Sequence, residues 1–319
     1  VTSIPTAAGS IDSADLGRTL VHEHVFVLGT EYQQNYQDDW DEDARVAEAV
    51  AALTKLNSLG IDTILDPTVL GLGRHIPRVR RIAEQVDLNI VVATGLYTFN
   101  DLPFQFHSNG PGLLFDMPEP LTELFVRDLT EGIAGTGVRA AFLKCAIDTP
   151  GLTPGVERVL RAVGQAHVRT GAPVMVHTDP HSRSGLVAQR VLAEEGVDLS
   201  KVLIAHCGDT TDAEYLAELA DAGSHLGMDR FGLDDLLPFE KRVDTIVRLF
   251  ERGYGDHVTI SHDTSCYIDW FEPEALSRAA PRWHYRHICE DVLPALRERG
   301  LSDSDLDTIL VANPCRLFA

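Results

Sequence analysis

"TLVHEHVF", residues 19–26, places two histidines one residue apart in a run of β-forming residues. Alternate side chains of a strand share a face, so His22 and His24 point the same way, roughly 6.6 Å apart along the strand. Two uncompensated imidazoles on a face bound for a core are costly. Hydrogen bonds within the core satisfy such a pair, and so does one shared metal ion. The H-x-H pattern alone leaves both readings open.

The chain around this stretch alternates regularly. Short apolar runs at 19–27, 61–67, 88–94, 138–145, 172–177, 202–206, 224–229 and 257–262 read as strands. Most are continuously apolar, as strands buried on both faces should be. Helical patterns fall near 43–58, 75–85, 119–133, 154–169, 184–195, 211–222 and 239–253, and two more, near 283–299 and 303–318, close the chain. Thr211 with Glu214 reads as a capping box, and Thr153-Pro154 as an N-cap followed by proline at the first helical position. Eight strands with interleaved helices predict a single (β/α)8 barrel domain over residues 1–319, since barrels of this length commonly form one unit. A doubly wound open sheet is the competitor. It would normally carry a glycine-rich turn after its first strand, where this chain has the two histidines.

In a barrel, active sites sit at the C-terminal strand ends. The fifth strand ends in His177, the sixth in His206, and the eighth runs into "SHD" with Asp263 last; Lys144 lies in "FLKC" at the end of the fourth. Each has an ordinary structural reading alone. A lone histidine at a strand end is most often structural, lysine snorkels to water, and aspartate caps helices. Their joint placement on one rim with His22 and His24 is what those readings leave unexplained. A protonated lysine cannot ligate a cation, but a neutral amine can add carbon dioxide and become a bidentate carbamate. Desolvation and neighbouring cations favour that neutral amine.

With these residues in view, the chain resembles the phosphotriesterase-like lactonases of the amidohydrolase superfamily. The stretches that carry the likeness are "TLVHEHVF", "ILDPTVLGLGR", "TGLYTFNDLPF", "AFLKCAIDTPGLT", "VMVHTDPHSRSG", "IAHCGDTTD", "GMDRFGLD", "ISHDTSCYIDW", "APRW" and "NPCRLF". The resemblance implies a binuclear centre. One divalent metal would be held by His22, His24 and Asp263, the other by His177 and His206, with N6-carboxylated Lys144 and a hydroxide bridging them. Zinc is expected, with cobalt, iron and manganese as alternatives, since histidine and carboxylate suit all four. The resemblance also implies that the bridging hydroxide attacks a lactone carbonyl polarised by the second metal, while Asp263 takes up its proton.

Tyr97, closing the third strand, is expected near the metals, either orienting the carbonyl or simply packed at a strand end. Arg230, after the seventh strand, positions substrate or pairs with a carboxylate. Asp229 supports its loop by hydrogen bonding. The segment after the eighth strand holds Tyr267, Ile268, Trp270, Phe271, Ala275 and Leu276, an apolar lid suited to an acyl chain or to packing against a second subunit. Cys266, Ile268 and Trp270, with Tyr97 and Arg230, are the expected substrate contacts. The resemblance implies N-acyl-homoserine lactones and simple lactones as substrates, hence quorum quenching, with weak phosphotriester hydrolysis beside it and a homodimer as the assembly. No histidine occurs between His225 and His257, whereas true phosphotriesterases carry additional histidine in a longer loop there. A primary phosphotriesterase or other ester hydrolase is the alternative; a non-catalytic scaffold would have lost a ligand, and every ligand position is filled.

Composition bounds the rest. The formal charge of -21 over 319 residues repels phosphate backbones, so no nucleic-acid partner is expected. Five widely spaced cysteines with no C-x-x-C fit a reducing cytoplasm better than a disulfide framework. No apolar run reaches membrane-spanning length, and "VTSIPTAAGS" lacks a basic region followed by an apolar core, so neither membrane span nor signal peptide is expected.

Overall fold

The order of the strands decides between barrel and open sheet. The computed structural model describes residues 2–37 and 40–319. An antiparallel hairpin of β1 (Ser3–Thr6) and β2 (Gly9–Asp12) comes first. It is followed by β3 (Thr19–Leu20), β4 (His24–Val27), β5 (Thr63–Asp66), β6 (Asn89–Gly95), β7 (Phe142–Ile147) and β8 (Val174–Thr178). Then come β9 (Val202–Ile204), β10 (His225–Met228), β11 (Val258–Ile260) and β12 (Ser265–Ile268). Strands β3 and β5 to β11 form one parallel sheet in which each strand lies beside the next one in the chain. A doubly wound sheet reverses its order at a switch point; this one never does, and it is a (β/α)8 barrel.

The barrel closes at the histidines. No ladder joins β3 to β11 directly. Instead the His22 amide donates to Ser261 Oγ (2.8 Å), the Asp263 amide to the His22 carbonyl (3.0 Å), and the His24 amide to the Thr264 carbonyl (2.8 Å). Just above, β12 pairs in parallel with β4, Ser265 opposite His24. Glu23 fastens this seam from within. Its fully buried carboxylate accepts the His262 amide (2.8 Å) and ring Nδ1 (2.7 Å) and the Thr264 amide (3.3 Å).

Side-chain alternation sorts the apolar residues into two layers. Leu65, Val91, Ala93, Phe142, Met175, Leu203 and Ala205 fill the barrel interior, with Ile4, Leu16 and Phe318 in the same cluster. Ile64, Ile90, Val92, Leu143, Val174, Val176 and Ile204 face the helices. Lys144 is in phase with Phe142, and His177 with Met175, so both point inward.

Several expectations are corrected here. The strand expected over 19–27 is two pieces, and the break matters. Leu20 packs outward and Val21 inward. An unbroken strand would carry His22 and His24 outward with Leu20; the bend at 21–23 resets the phase and turns both rings in. The helix expected from 211 begins at Ala213, and its cap is Asp212, which accepts the Tyr215 amide (3.1 Å), rather than a Thr211–Glu214 box. Thr153 does cap Pro154–Thr170. The hairpin, β12, and the short helices Thr30–Tyr36 and Pro273–Ala279 were not expected. The five cysteines are free thiols, and no helix among the described residues is long and apolar enough to cross a membrane.

Candidate metal centre

His22, His24, Lys144, His177, Asp263, Tyr97 and Arg230 line one cavity of about 350 Å³ at the C-terminal mouth of the barrel. His206 lies just beneath, fully buried. Three of these residues occupy left-handed backbone that non-glycine residues seldom adopt: His206 (φ 67°), Arg230 (φ 65°) and Asp263 (φ 54°). At His206 the reason is visible. Strand β9 ends at Ile204 with Ala205 facing inward, so continued alternation would turn His206 outward. The left-handed turn brings it back in. Such strain persists where surrounding bonds over-determine it, characteristically at functional sites.

Hydrogen bonding fixes which nitrogen of each ring faces the centre. Asp229, wholly buried, accepts from His22 Nδ1 (2.8 Å), His206 Nδ1 (2.9 Å) and the His206 amide (2.8 Å). His177 Nε2 bonds Asp148 (2.5 Å), and His24 Nδ1 bonds the Thr68 hydroxyl (2.8 Å). An ionised carboxylate only accepts, so these outer nitrogens of His22, His206 and His177 carry the protons. Their other nitrogens present lone pairs inward.

Those inward atoms converge on acceptors. His22 Nε2 and His24 Nε2 lie 3.0 and 3.2 Å from Asp263 Oδ1. His206 Nε2 lies 2.7 Å from His177 Nδ1. Lone pairs facing a carboxylate oxygen repel unless a cation sits among them. The 3.0 and 3.2 Å separations approximate the edge of about 3.3 Å expected between ligands bonded tetrahedrally at about 2.0–2.1 Å. His22, His24 and Asp263 thus make a donor set fit for a divalent ion. A proton is the alternative, and the His22 pKa is accordingly raised: burial opposes the charged ring, but Asp263 and Asp229 outweigh it. His22, His206 and Asp229 also cluster. There Asp229 occupies the outer nitrogens, so it orients both rings rather than joining the inner donors.

Lys144 Nζ is buried and has no hydrogen-bond partner among the described residues. Burial pushes its pKa down to about 8, with Asp263 and Asp229 opposing. No group among the described residues satisfies this amine, and its neutral form is accessible. Both facts fit a carbamate.

The remaining expected residues fall as follows. Tyr97 packs edge-on against His177 with its hydroxyl 3.4 Å from Nδ1, and burial raises its pKa, so the phenol keeps its proton. Arg230 pairs with carboxylates: Nε donates to Asp263 Oδ2 (3.1 Å), and Nη1 to Asp209 Oδ2 (3.0 Å). Ile268 and Trp270 line the cavity, Trp270 half exposed at its rim with Phe271. Cys266 does not reach it; its Sγ faces the Tyr285 hydroxyl (3.5 Å), and it lines a separate pocket behind β12.

Sequence reading missed Thr68, Asp66, Asp148, Glu23 and Arg242. Arg242 is buried and donates to the Gly208, Asp229, Leu233 and Leu237 carbonyls, fixing the loop that carries Arg230. Glu23, between the two histidines, was the one with a visible signal: a carboxylate inside an apolar strand demands buried donors.

A barrel with a buried imidazole–carboxylate cluster at its mouth defines a metal-dependent hydrolase. The chain matches the phosphotriesterase family over residues 2–318 and belongs to it. It is similar to a solved structure described as the phosphotriesterase from Mycobacterium tuberculosis (58% identity, 99% of this chain and 98% of that one, TM-score 0.98). A curated relative from Saccharolobus solfataricus, named aryldialkylphosphatase, is 41% identical over 97% of each chain. A further solved structure concerns organophosphate hydrolysis engineered from a weak promiscuous lactonase template (29% identity, 100% of both chains, TM-score 0.90).

Proposed function

We propose that this chain is a binuclear lactonase that opens N-acyl-homoserine lactones and related cyclic esters, a quorum-quenching reaction, with weak phosphotriester hydrolysis beside it. The observation that carries this reading is the two-part cavity. Its floor is the donor cluster; its wall is Val27, Leu72, Leu233, Leu236, Ile268 and Trp270. A polar lactone head at the floor with an acyl chain along the wall satisfies both halves. The lactonase template among the similar structures supports the same assignment.

His22, His24 and Asp263 would hold one cation, His177 and His206 the other, and carboxylated Lys144 both. Two divalent ions so placed supply a water activated at neutral pH and Lewis-acid polarisation of the carbonyl. Asp263 accepts the proton of the attacking water and returns it to the ring oxygen as the acyl C–O bond breaks. Tyr97, kept protonated by burial, donates a hydrogen bond to the carbonyl oxygen as charge develops there. Arg230 holds Asp263 by its Nε. The apolar wall keeps bulk water from the opened ester. A cytoplasmic homodimer acting on small lactones, with no nucleic acid and no membrane, completes the proposal.

The aryldialkylphosphatase relative favours a second reading, a primary phosphotriesterase. Comparing kcat/KM on lactones of graded acyl length and on paraoxon, at defined metal content, separates them. Lactone values above paraoxon by orders of magnitude are expected; the reverse order overturns the proposal.

A further inference from the structure

Of the four imidazoles at the centre, three lean directly on a carboxylate, and His24 alone leans on a hydroxyl. His24 Nδ1 is 2.8 Å from Thr68 Oγ1. Thr68 Oγ1 is in turn 2.5 Å from Asp66 Oδ1, which also accepts the Thr68 amide (3.0 Å). Asp66 closes β5 and Thr68 follows it, both buried, and the proposed mechanism assigns neither of them a part.

A hydroxyl has one proton. The other oxygen near Thr68, the Phe26 carbonyl, lies at 3.4 Å, so with Asp66 ionised the 2.5 Å contact takes that proton. Burial raises the Asp66 pKa, and His24 and the two hydrogen bonds from Thr68 oppose that rise. With its proton committed, Thr68 Oγ1 faces His24 as an acceptor, and His24 Nδ1 must be the protonated nitrogen. Its Nε2 lone pair is then directed at Asp263 Oδ1, 3.2 Å away. His24 Nδ1 and Asp66 Oδ1 are 3.8 Å apart, too far for a direct bond. The threonine is the necessary link.

We propose that Thr68 and Asp66 are positioning residues that fix the tautomer of His24, and through it the affinity of the cation seat formed by His22, His24 and Asp263. This rests on the metal-centre reading above, not on the choice between lactone and phosphotriester. Outer hydrogen-bond partners of metal-bound histidines are worth about 10–100-fold in metal affinity. Here that effect passes through a neutral hydroxyl, which can be removed without altering charge or volume.

The test compares Thr68→Val with Thr68→Ser in the full chain. Zinc affinity and stoichiometry are read by competition with a chromophoric chelator, and melting of the metal-free proteins by circular dichroism. The valine variant is expected to bind one of its two zinc ions about 10–100-fold more weakly, and the serine variant, which keeps the hydroxyl, to bind both as wild type does. Wild-type affinity for both ions in Thr68→Val overturns the proposal, as does equal weakening in both variants. Nitrogen-15 NMR of histidine-labelled, metal-free wild type tests the tautomer itself and needs no variant to fold. Protonated Nδ1 on His24 supports the inference, and protonated Nε2 with bare Nδ1 overturns it. Wild type binding no zinc at all would strike the metal-centre reading, while the NMR result would still decide the tautomer.

Discussion

Arg230 Nε donates to Asp263 Oδ2 at 3.1 Å, while the same guanidinium reaches Asp209 through Nη1. Guanidinium does not lose its proton in proteins, so Asp263 cannot pass a proton through Arg230 to Asp209. In the proposed mechanism Arg230 is thus a brace, and protons taken up by Asp263 would return to product or leave by the cavity. A brace depends on its fork geometry, which lysine lacks. Arg230→Lys keeps the charge and the left-handed backbone demand and loses one of the two contacts. A charged hydrogen bond is worth about 1.5–3 kcal/mol, so kcat/KM is expected to fall about 10–100-fold. Steady-state kinetics with matched metal content checks this, and a lysine variant at wild-type rate would remove the brace.

Asp263 is asked to do two things, to ligate and to take a proton. His22, His24 and His206 hold its pKa well below the usual carboxylate range against the opposing effect of burial. It is therefore ionised in the resting protein at neutral pH. Asp263→Asn retains an oxygen but has no basic carboxylate. Turnover is expected to be abolished while the circular dichroism spectrum and melting profile remain those of a folded barrel. Near-normal kcat in a folded Asn variant contradicts the proton-accepting role.

Lys144 offers a test that needs no kinetics. Its buried amine, unpartnered among the described residues, is expected to carry an added carbon dioxide in the metal-loaded protein, about 44 Da by formula, visible in gentle native mass spectrometry and lost on acid denaturation. Carbamate formation consumes the neutral amine, and the depressed pKa of about 8 supplies more of it at neutral pH than a free lysine would. An active, fully metal-loaded sample with unmodified Lys144 would overturn the bridge.

The rim was legible in the sequence because each member ends or interrupts an apolar run, where a polar side chain has few reasons to be. Its supporting groups were not. His22 and Asp229 are 207 positions apart, as are no two residues that local periodicity can relate. Thr68, Asp66 and Asp148 look like turn residues at strand ends, which they also are. The left-handed turns at His206, Arg230 and Asp263 leave no compositional mark, because none is a glycine. Treating 19–27 as one strand reached the right face for the two histidines through a phase that the bend at 21–23 in fact supplies. Cys266 was misplaced for a related reason: Ser265 and Ile268 of β12 line the cavity, and the thiol between them does not.

His225 separates the fold's own pH dependence from that of the centre. It opens β10 at the opposite end of the barrel, 5% exposed, with no hydrogen-bond partner for Nδ1 among the described residues. Burial, then His257, Arg316 and Lys201, depress its pKa from 6.5 to about 4. The unfolded chain therefore binds a proton between those values while the folded chain does not. Stability is full above about pH 6.5 and is lost as pH falls through 4. A difference of this size corresponds to on the order of 3 kcal/mol. His225→Leu removes that group and leaves the metal ligands untouched. The variant is expected to lose less melting temperature than wild type between pH 7 and pH 4.5, with both metal-loaded. Two parallel pH profiles would mean that His225 is protonated in the folded barrel after all, and that its acid lability arises elsewhere.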